Sequence, residues 1–153
     1  MINFKELWVL GHRIKPVLSS GDFDIVEGES EYGVAGLPLH SHSKYSEFFY
    51  LMEGELLFQL DQTEVLVKQG ESLDIPVNIR HSFKNPSPKT SRWLNIHSPK
   101  GYMLFYTDMG ISSDQEMSKE NSLSEASITK LLSRATYYDM HLDKPDSELT
   151  AEM

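Results

Sequence analysis

The chain has 153 residues, which is long enough for one domain to bury a hydrophobic core without disulfide or metal staples. It contains no cysteine, so disulfide frameworks and thiolate metal sites are excluded. Its 14 basic and 23 acidic residues give a net charge of −9 with no basic stripe, and we therefore expect no nucleic-acid partner.

The first seven residues lack the basic start and the continuous apolar run of a signal peptide. No segment combines the length and the apolarity that a membrane-spanning helix needs. We therefore expect a cytoplasmic protein that does not contact a membrane.

Short apolar runs separated by turn residues extend from about residue 6 to residue 98, a pattern typical of an all-β sandwich or barrel. Gly54, Gly70 and the Asn- and Pro-containing segment 85–88 supply breaks between the runs. The predicted strands are 23–27, 37–42, 47–52, 55–60, 63–68, 72–75, 80–84 and 91–97.

The predicted strand 47–52 carries apolar side chains on both of its faces. One face of a two-layer barrel points outward, so we expect the face of Phe48, Tyr50 and Met52 to be covered by another surface. A homodimer formed through this face fits the pattern.

The character of the chain changes after residue 98. Ser98 and Pro99 predict a helix start, and Gly110 predicts its end. The polar segment 111–121 is predicted to be a loop. A capping-box pattern over 122–125, followed by apolar residues at 128, 131, 132, 135 and 138, predicts a second helix. Both helices are expected to pack on the exterior of the barrel.

Three imidazoles and one carboxylate in two short segments suit a metal ion. His40 and His42 leave the same face of an extended strand, Glu47 follows after a turn, and His81 arrives from a distant segment. This donor set suits a divalent first-row transition metal with one or two positions left open. The alternative is a set of buried polar side chains that hydrogen-bond to one another.

The spacing of these residues resembles the two motifs of the cupin family. The residues in register with the first motif are His40, His42, Glu47 and Gly54. Those in register with the second motif are Gly70, Pro76, His81 and Asn85. Val34 stands where the first motif opens with glycine, and Asn78 replaces a glycine of the second. Asparagine tolerates the left-handed conformation, so we expect that turn to persist.

The resemblance implies an all-β fold, a double-stranded β-helix (cupin barrel or jelly roll) with two C-terminal helices. It implies a single domain over 1–153, with the barrel at about 6–98 and the helical extension at about 99–145. Segment 94–102 is also similar to the tail of small quercetin-dioxygenase-like cupins.

By this resemblance we expect a metal-dependent oxidoreductase, dioxygenase-like, that acts on a small organic substrate of enolisable or flavonol-like type. The alternatives are a non-catalytic cupin that binds a small molecule and a metal-dependent isomerase of a sugar or keto acid. Iron, manganese, nickel, copper, cobalt and zinc all remain open as the metal. Glu47 is expected to act either as the fourth ligand or as a catalytic general base.

A substrate pocket beside the metal is the remaining prediction. Phe49 and Phe83 share strand parity with Glu47 and His81, so they should point into the barrel. Along the last strand, Trp93, Asn95 and His97 alternate with Leu94 and Ile96, and one of these sets should also face inward. Core packing explains such residues as well as a pocket does. On the first helix, Tyr102, Phe105 and Tyr106 either anchor the helix or roof the barrel mouth.

Overall fold

A computed structural model of the chain describes residues 5–34 and 36–142. The last residues of the predicted helical extension, 143–145, lie outside the described residues. Among the helices of the described part, none has both the length and the apolarity required to cross a membrane.

Two antiparallel sheets surround a common core. The strands are β1 (Leu7–Val9), β2 (His12–Ser19), β3 (Asp24–Ser30), β4 (His40–Ser41), β5 (Ser46–Glu53), β6 (Glu55–Leu60), β7 (Thr63–Lys68), β8 (Ser72–Ile75), β9 (His81–Lys84), β10 (Ser91–Ser98), β11 (Ile111–Ser112) and β12 (His141–Leu142). The larger sheet has the order β11-β1-β2-β3-β10-β5-β8, and the smaller one β12-β4-β9-β6-β7.

Helices follow the barrel strands: α1 (Met103–Met109), α2 (Ser118–Ser122), α3 (Glu125–Arg134) and a 3₁₀ helix at Ala135–Tyr138. The predicted double-stranded β-helix with two C-terminal helices is confirmed, α1 and α3 being the predicted pair. The short α2 is additional, and with β11 it occupies much of the segment that was predicted to be a loop.

The strand predictions differ from the structure mainly at the start of the chain. The predicted strand 37–42 shortens to β4, while β1 and β2 precede the first predicted strand. In β2 the positions that alternate inward include His12 and Pro16 rather than only aliphatic residues. Because proline weakens a strand prediction, the alternation there is hard to read from sequence.

Both predicted helices begin later than their local signals indicate. Ser98 ends β10, and α1 begins at Met103, because the Asp24 carboxylate accepts the backbone N–H groups of Gly101 at 2.8 Å and Met103 at 3.2 Å. The turn that precedes α1 is thus held by a side chain from β3. In α3 the cap is Ser124, which accepts the N–H of Ser127 at 3.2 Å, rather than Ser122.

A cluster of aromatic rings fills part of the barrel interior. Phe49, Phe58, Phe83 and Trp93 make contacts with centroids 4.9 to 5.6 Å apart. Trp93 lies directly over Gly28 of β3, its register partner. The Trp93 indole N–H also donates to Ser30 Oγ at 2.9 Å, which fixes the ring in its position.

Gly28→Ala is expected to destabilise the fold by about 1–3 kcal/mol, as overpacking of a core does. An added Cβ would lie 2.2 Å from Trp93 Cζ2, and the ring is held by Ser30. Urea unfolding followed by circular dichroism measures the change. Gly21→Ala is the matched control, because its Cβ would meet no atom within 4 Å. Equal stability of the two variants would contradict the packing argument.

Candidate metal centre

Three histidines are each oriented by a hydrogen bond to a main-chain carbonyl. Because a carbonyl oxygen can only accept, each ring carries its proton on Nδ1 and leaves the Nε2 lone pair free. The bonds run from His40 to Pro38 O at 2.7 Å, from His42 to Asp139 O at 2.8 Å, and from His81 to Ile79 O at 2.9 Å. Bonds of this kind commonly orient histidine ligands of metals.

The four predicted ligands form one buried cluster. One ligand atom from each of His40, His42, Glu47 and His81 lies within 4.8 Å of all the others. Glu47 Oε2 is 3.3 Å from His42 Nε2 and closer still to His81 Nε2. These three atoms are buried and have no hydrogen bond of acceptable geometry. Three nitrogen donors and one anionic oxygen that converge in this way could bind a divalent metal.

Strand pairing explains how the ligands meet. His40 on β4 is the direct register partner of His81 on β9, in the smaller sheet. Glu47 is the second residue of β5 in the larger sheet, where it pairs with His97 of β10 and Ile75 of β8. The cluster therefore bridges the two sheets at one end of the barrel.

His42 is oriented by a segment almost one hundred residues away. Beyond the carbonyl that His42 contacts, the Asp139 carboxylate accepts the N–H groups of Ser43 at 2.9 Å and Lys44 at 2.8 Å, and the Ser43 hydroxyl at 2.7 Å. Tyr45 adds a hydroxyl bond to Tyr138 O at 2.6 Å. We call this set of contacts from 138–139 to 42–45 the C-terminal clamp. No sequence motif marks it, so sequence reasoning missed it.

The second carboxylate oxygen of Glu47 has its own partners. Oε1 accepts a hydrogen bond from His97 Nε2 at 2.8 Å and a longer one from Asn95 Nδ2 at 3.4 Å. Asn95 in turn accepts the hydroxyl of Tyr106 at 3.2 Å. Glu47 thus directs one oxygen towards the three ligand histidines and the other towards β10.

Burial and charge divide protonation unequally across the cluster. Burial, together with the neighbouring His81 and His42, lowers the pKa of His40 to about 3. Burial alone would raise the pKa of Glu47, but the charge of His81 and the close imidazoles of His42 and His97 hold that pKa well below its usual value. Burial opposes the charged form of His81 too, but attraction to Glu47 raises the His81 pKa. A proton on His81 would therefore be the main competitor of a metal ion.

Aromatic side chains cover the cluster. The ring of Tyr102, the residue that precedes α1, lies 4.9 Å from the His42 ring and 4.4 Å from the His97 ring. Its hydroxyl is buried without a hydrogen-bond partner. Burial, followed by the charges of nearby groups, raises the Tyr102 pKa well above its usual value, so the hydroxyl remains protonated.

The residues predicted to line a pocket divide into two groups. Asn95 and His97 reach the candidate ligand Glu47, as described above. Phe49, Phe83 and Trp93 belong to the aromatic cluster, and Phe83 and Trp93 also line a small cavity. The inward parity predicted for Phe49 and Phe83 matches their observed orientation, and the inward set of β10 is Trp93, Asn95 and His97.

Comparison with known proteins identifies relatives of the part of the chain that forms most of the barrel. A sequence model of the cupin domain matches residues 20–97, about half of the chain. Quercetin 2,3-dioxygenase of Bacillus subtilis (strain 168) is 27% identical over 92 residues, which cover 60% of this chain and 27% of that protein. The chain therefore spans about a quarter of the length of that relative.

Solved structures share the fold at low identity. The cupin domain of Cnp3 from Schizosaccharomyces pombe matches with a TM-score of 0.56 and 16% identity, over 71% of this chain and 77% of that one. A sugar phosphate isomerase of the cupin superfamily, from Silicibacter pomeroyi, matches with a TM-score of 0.54 and 22% identity, over 60% of this chain and 61% of that one. Likeness at these identities concerns the fold alone.

Proposed function

The chain belongs to the cupin family, and on this premise we propose that it is a metal-dependent oxidoreductase of dioxygenase type that acts on a small, enolisable organic molecule. The observation that carries the proposal is the convergence of three oriented imidazoles and one carboxylate in a buried cluster. Four protein donors leave one or two positions of a divalent transition metal for substrate. His40, His42, Glu47 and His81 are the proposed ligands.

A divalent cation in this cluster would act as a Lewis acid towards an enolate oxygen of the substrate. His97 and Asn95 hold Oε1 of Glu47, so Oε2 is the oxygen free to coordinate or to take the proton of a substrate hydroxyl. The Tyr102 ring packs against the rings of His42 and His97, and its buried, unpartnered hydroxyl is the proposed donor to a substrate oxygen.

The similarity to quercetin 2,3-dioxygenase supports oxygen chemistry over the other two candidates. That similarity covers a minor part of the relative, so the substrate class rests on the cluster and on its aromatic surroundings. A sugar or keto-acid isomerase and a non-catalytic binding cupin are the outcomes against which the proposal is tested.

Oxygen uptake is the decisive measurement. We expect protein reconstituted separately with iron, manganese, nickel and cobalt to consume dioxygen with at least one member of a panel of diketones and flavonols. Glu47→Gln should reduce turnover by at least about a hundredfold, because the general base or the anionic ligand is lost, while the three histidines still hold much of the metal.

Glu116→Gln is the matched control, since this glutamate is exposed and far along the chain from the cluster. Uptake that is unchanged in Glu47→Gln would contradict the assigned role. Absence of uptake combined with metal-dependent exchange of a substrate proton with solvent would favour an isomerase. Tight substrate binding without either reaction would favour the binding module.

We further propose a homodimer formed through the outer face of β5. Phe48 and Tyr50 on this face are 37% and 40% exposed within one chain, and together they form an apolar surface that a second copy could cover. Light scattering should give about twice the chain mass of 17.5 kDa. Phe48→Asp should produce a monomer, whereas Leu66→Asp, on the other sheet and 41% exposed, should not. A wild-type monomer at micromolar concentration would contradict the dimer.

A further inference from the structure

A cavity of about 30 Å³ lies inside the barrel beside the aromatic cluster. Its lining is almost wholly aliphatic and aromatic and includes Leu37, Phe83 and Trp93, with His12 as the imidazole. The volume is about what one water molecule or one small functional group needs. His12 is buried, lies outside the candidate metal cluster and has no role in the function proposed above.

Hydrogen bonding assigns the tautomer of His12. The Trp93 indole N–H donates to Ser30 Oγ at 2.9 Å, and Ser30 Oγ is also 2.9 Å from His12 Nδ1. Among the described residues, His12 Nδ1 is the one acceptor that lies within hydrogen-bond distance of the buried Ser30 hydroxyl, so its single hydrogen is assigned to a bond with Nδ1. The chain of bonds then runs from Trp93 through Ser30 to His12, and the ring proton resides on Nε2.

His12 Nε2 is buried and has no hydrogen-bond partner. Among the described residues that line the cavity, it is the only unpaired buried side-chain nitrogen or oxygen. Burial lowers the pKa of His12 to about 4, so the ring is neutral near pH 7. The cavity therefore presents one neutral N–H donor within apolar walls. A buried water molecule usually makes two to four hydrogen bonds, whereas a carbonyl oxygen can be satisfied by a single donor.

A larger cleft adjoins the cavity. Leu37 and Phe83 line both the inner cavity and an outer cleft of about 300 Å³. The cleft is bounded by outward side chains of the smaller sheet, among them Leu57 and the charged Glu64 and Lys84. Its volume lies at the lower end of the range for small-molecule pockets. Leu37 and Phe83 are thus shared by a cleft that can hold the body of a ligand and a cavity that can hold one polar atom.

We propose that the cavity and cleft bind a neutral carbonyl compound, whose carbonyl oxygen accepts a hydrogen bond from His12 Nε2 in the apolar cavity and whose body occupies the more polar cleft. An anion is disfavoured, because a single neutral donor does not offset the loss of its hydration. The inference goes beyond the proposed function, because none of the residues that line the cavity or the cleft is a candidate metal ligand.

Two measurements on protein prepared with a chelator test the inference without metal or turnover. Long-range proton–nitrogen NMR spectra should show His12 protonated on Nε2 and unprotonated on Nδ1. In a Trp8→Phe background, Trp93 fluorescence should report binding of cyclopentanone about three- to tenfold tighter than that of methylenecyclopentane, which has the same shape without the oxygen. A proton on Nδ1, or equal affinity for the two probes, would overturn the inference.

Variants sharpen the result. His12→Phe keeps an aromatic ring and should abolish the preference for the ketone, whereas His141→Phe, at a partly exposed histidine, should retain it. Leu37→Ala should strengthen binding of the ketone, because it removes a side chain that lines both the cavity and the cleft and so widens the space between them. Persistence of the preference in a folded His12→Phe protein would overturn the inference. Because these experiments use neither metal nor oxygen, their outcome is independent of whether the oxygen-uptake test fails.

Discussion

The double substitution His40→Ala/His42→Ala is expected to abolish stoichiometric metal binding, with a loss of affinity of at least about a hundredfold. It removes two of the three nitrogen donors, and the remaining His81 and Glu47 already contact each other directly. The barrel should stay folded, because its aromatic and aliphatic core is built from other residues. Metal content measured by mass spectrometry and near-ultraviolet circular dichroism together test both parts.

His141→Ala is the matched control for this experiment. His141 is a partly exposed histidine whose one described side-chain bond goes to Asp139, and Asp139 keeps its bonds to Ser43 and Lys44 without it. Metal content should therefore be unchanged in the control. Equal metal content in the wild type and the double variant would rule out this cluster as the metal site.

Asp139→Ala is expected to weaken metal binding by about 10–100-fold, although Asp139 contributes no ligand atom. The carboxylate holds the backbone of Ser43 and Lys44, and the carbonyl of the same residue orients His42. Without the carboxylate, the loop after His42 and the segment at 139 lose their main connection. The carboxylate makes four hydrogen bonds, three with Ser43 and Lys44 and one with His141, and their loss should also lower the free energy of unfolding by about 1–3 kcal/mol.

Metal titration and urea unfolding measure these two effects. Asp139→Asn should give an intermediate loss, since its amide keeps one acceptor oxygen for the backbone N–H groups. Asp22→Ala, at an exposed aspartate, should leave both quantities unchanged. If Asp139→Ala lowered stability without any change in metal affinity, the C-terminal clamp would stabilise the fold without orienting His42.

The parts of the site that sequence can predict are those with local signals. His40 and His42 share one strand face by their spacing, and the alternation along β5, β9 and β10 predicts which side chains point inward. Contacts between distant segments have no such signal. Asp24 delays the start of α1, and Asp139 orients His42, because folding brings these carboxylates to backbone N–H groups far along the chain. Neither residue stands out by composition or spacing.

The same reasoning explains His12. A lone histidine outside the motifs carries no signal of its own. The environment of His12 follows from its hydrogen bond to Ser30, which in turn binds Trp93, and these contacts are evident only in the folded chain. The candidate metal ligands, in contrast, are recognisable in the sequence, because a metal site needs several donor side chains and these four lie at the spacings of the two motifs.

The C-terminal clamp has a consequence for the order of events during synthesis. Residues up to 98 supply all four candidate ligands and the barrel strands that carry them, but the carbonyl that orients His42 belongs to Asp139. A nascent chain that has exposed only these residues therefore carries all four candidate ligands but lacks the carbonyl that orients His42. The full affinity for a metal ion is therefore expected only after Asp139 has left the ribosome and docked on the loop after His42. Partially synthesised or C-terminally clipped chains should thus compete poorly for a scarce cation in the cell.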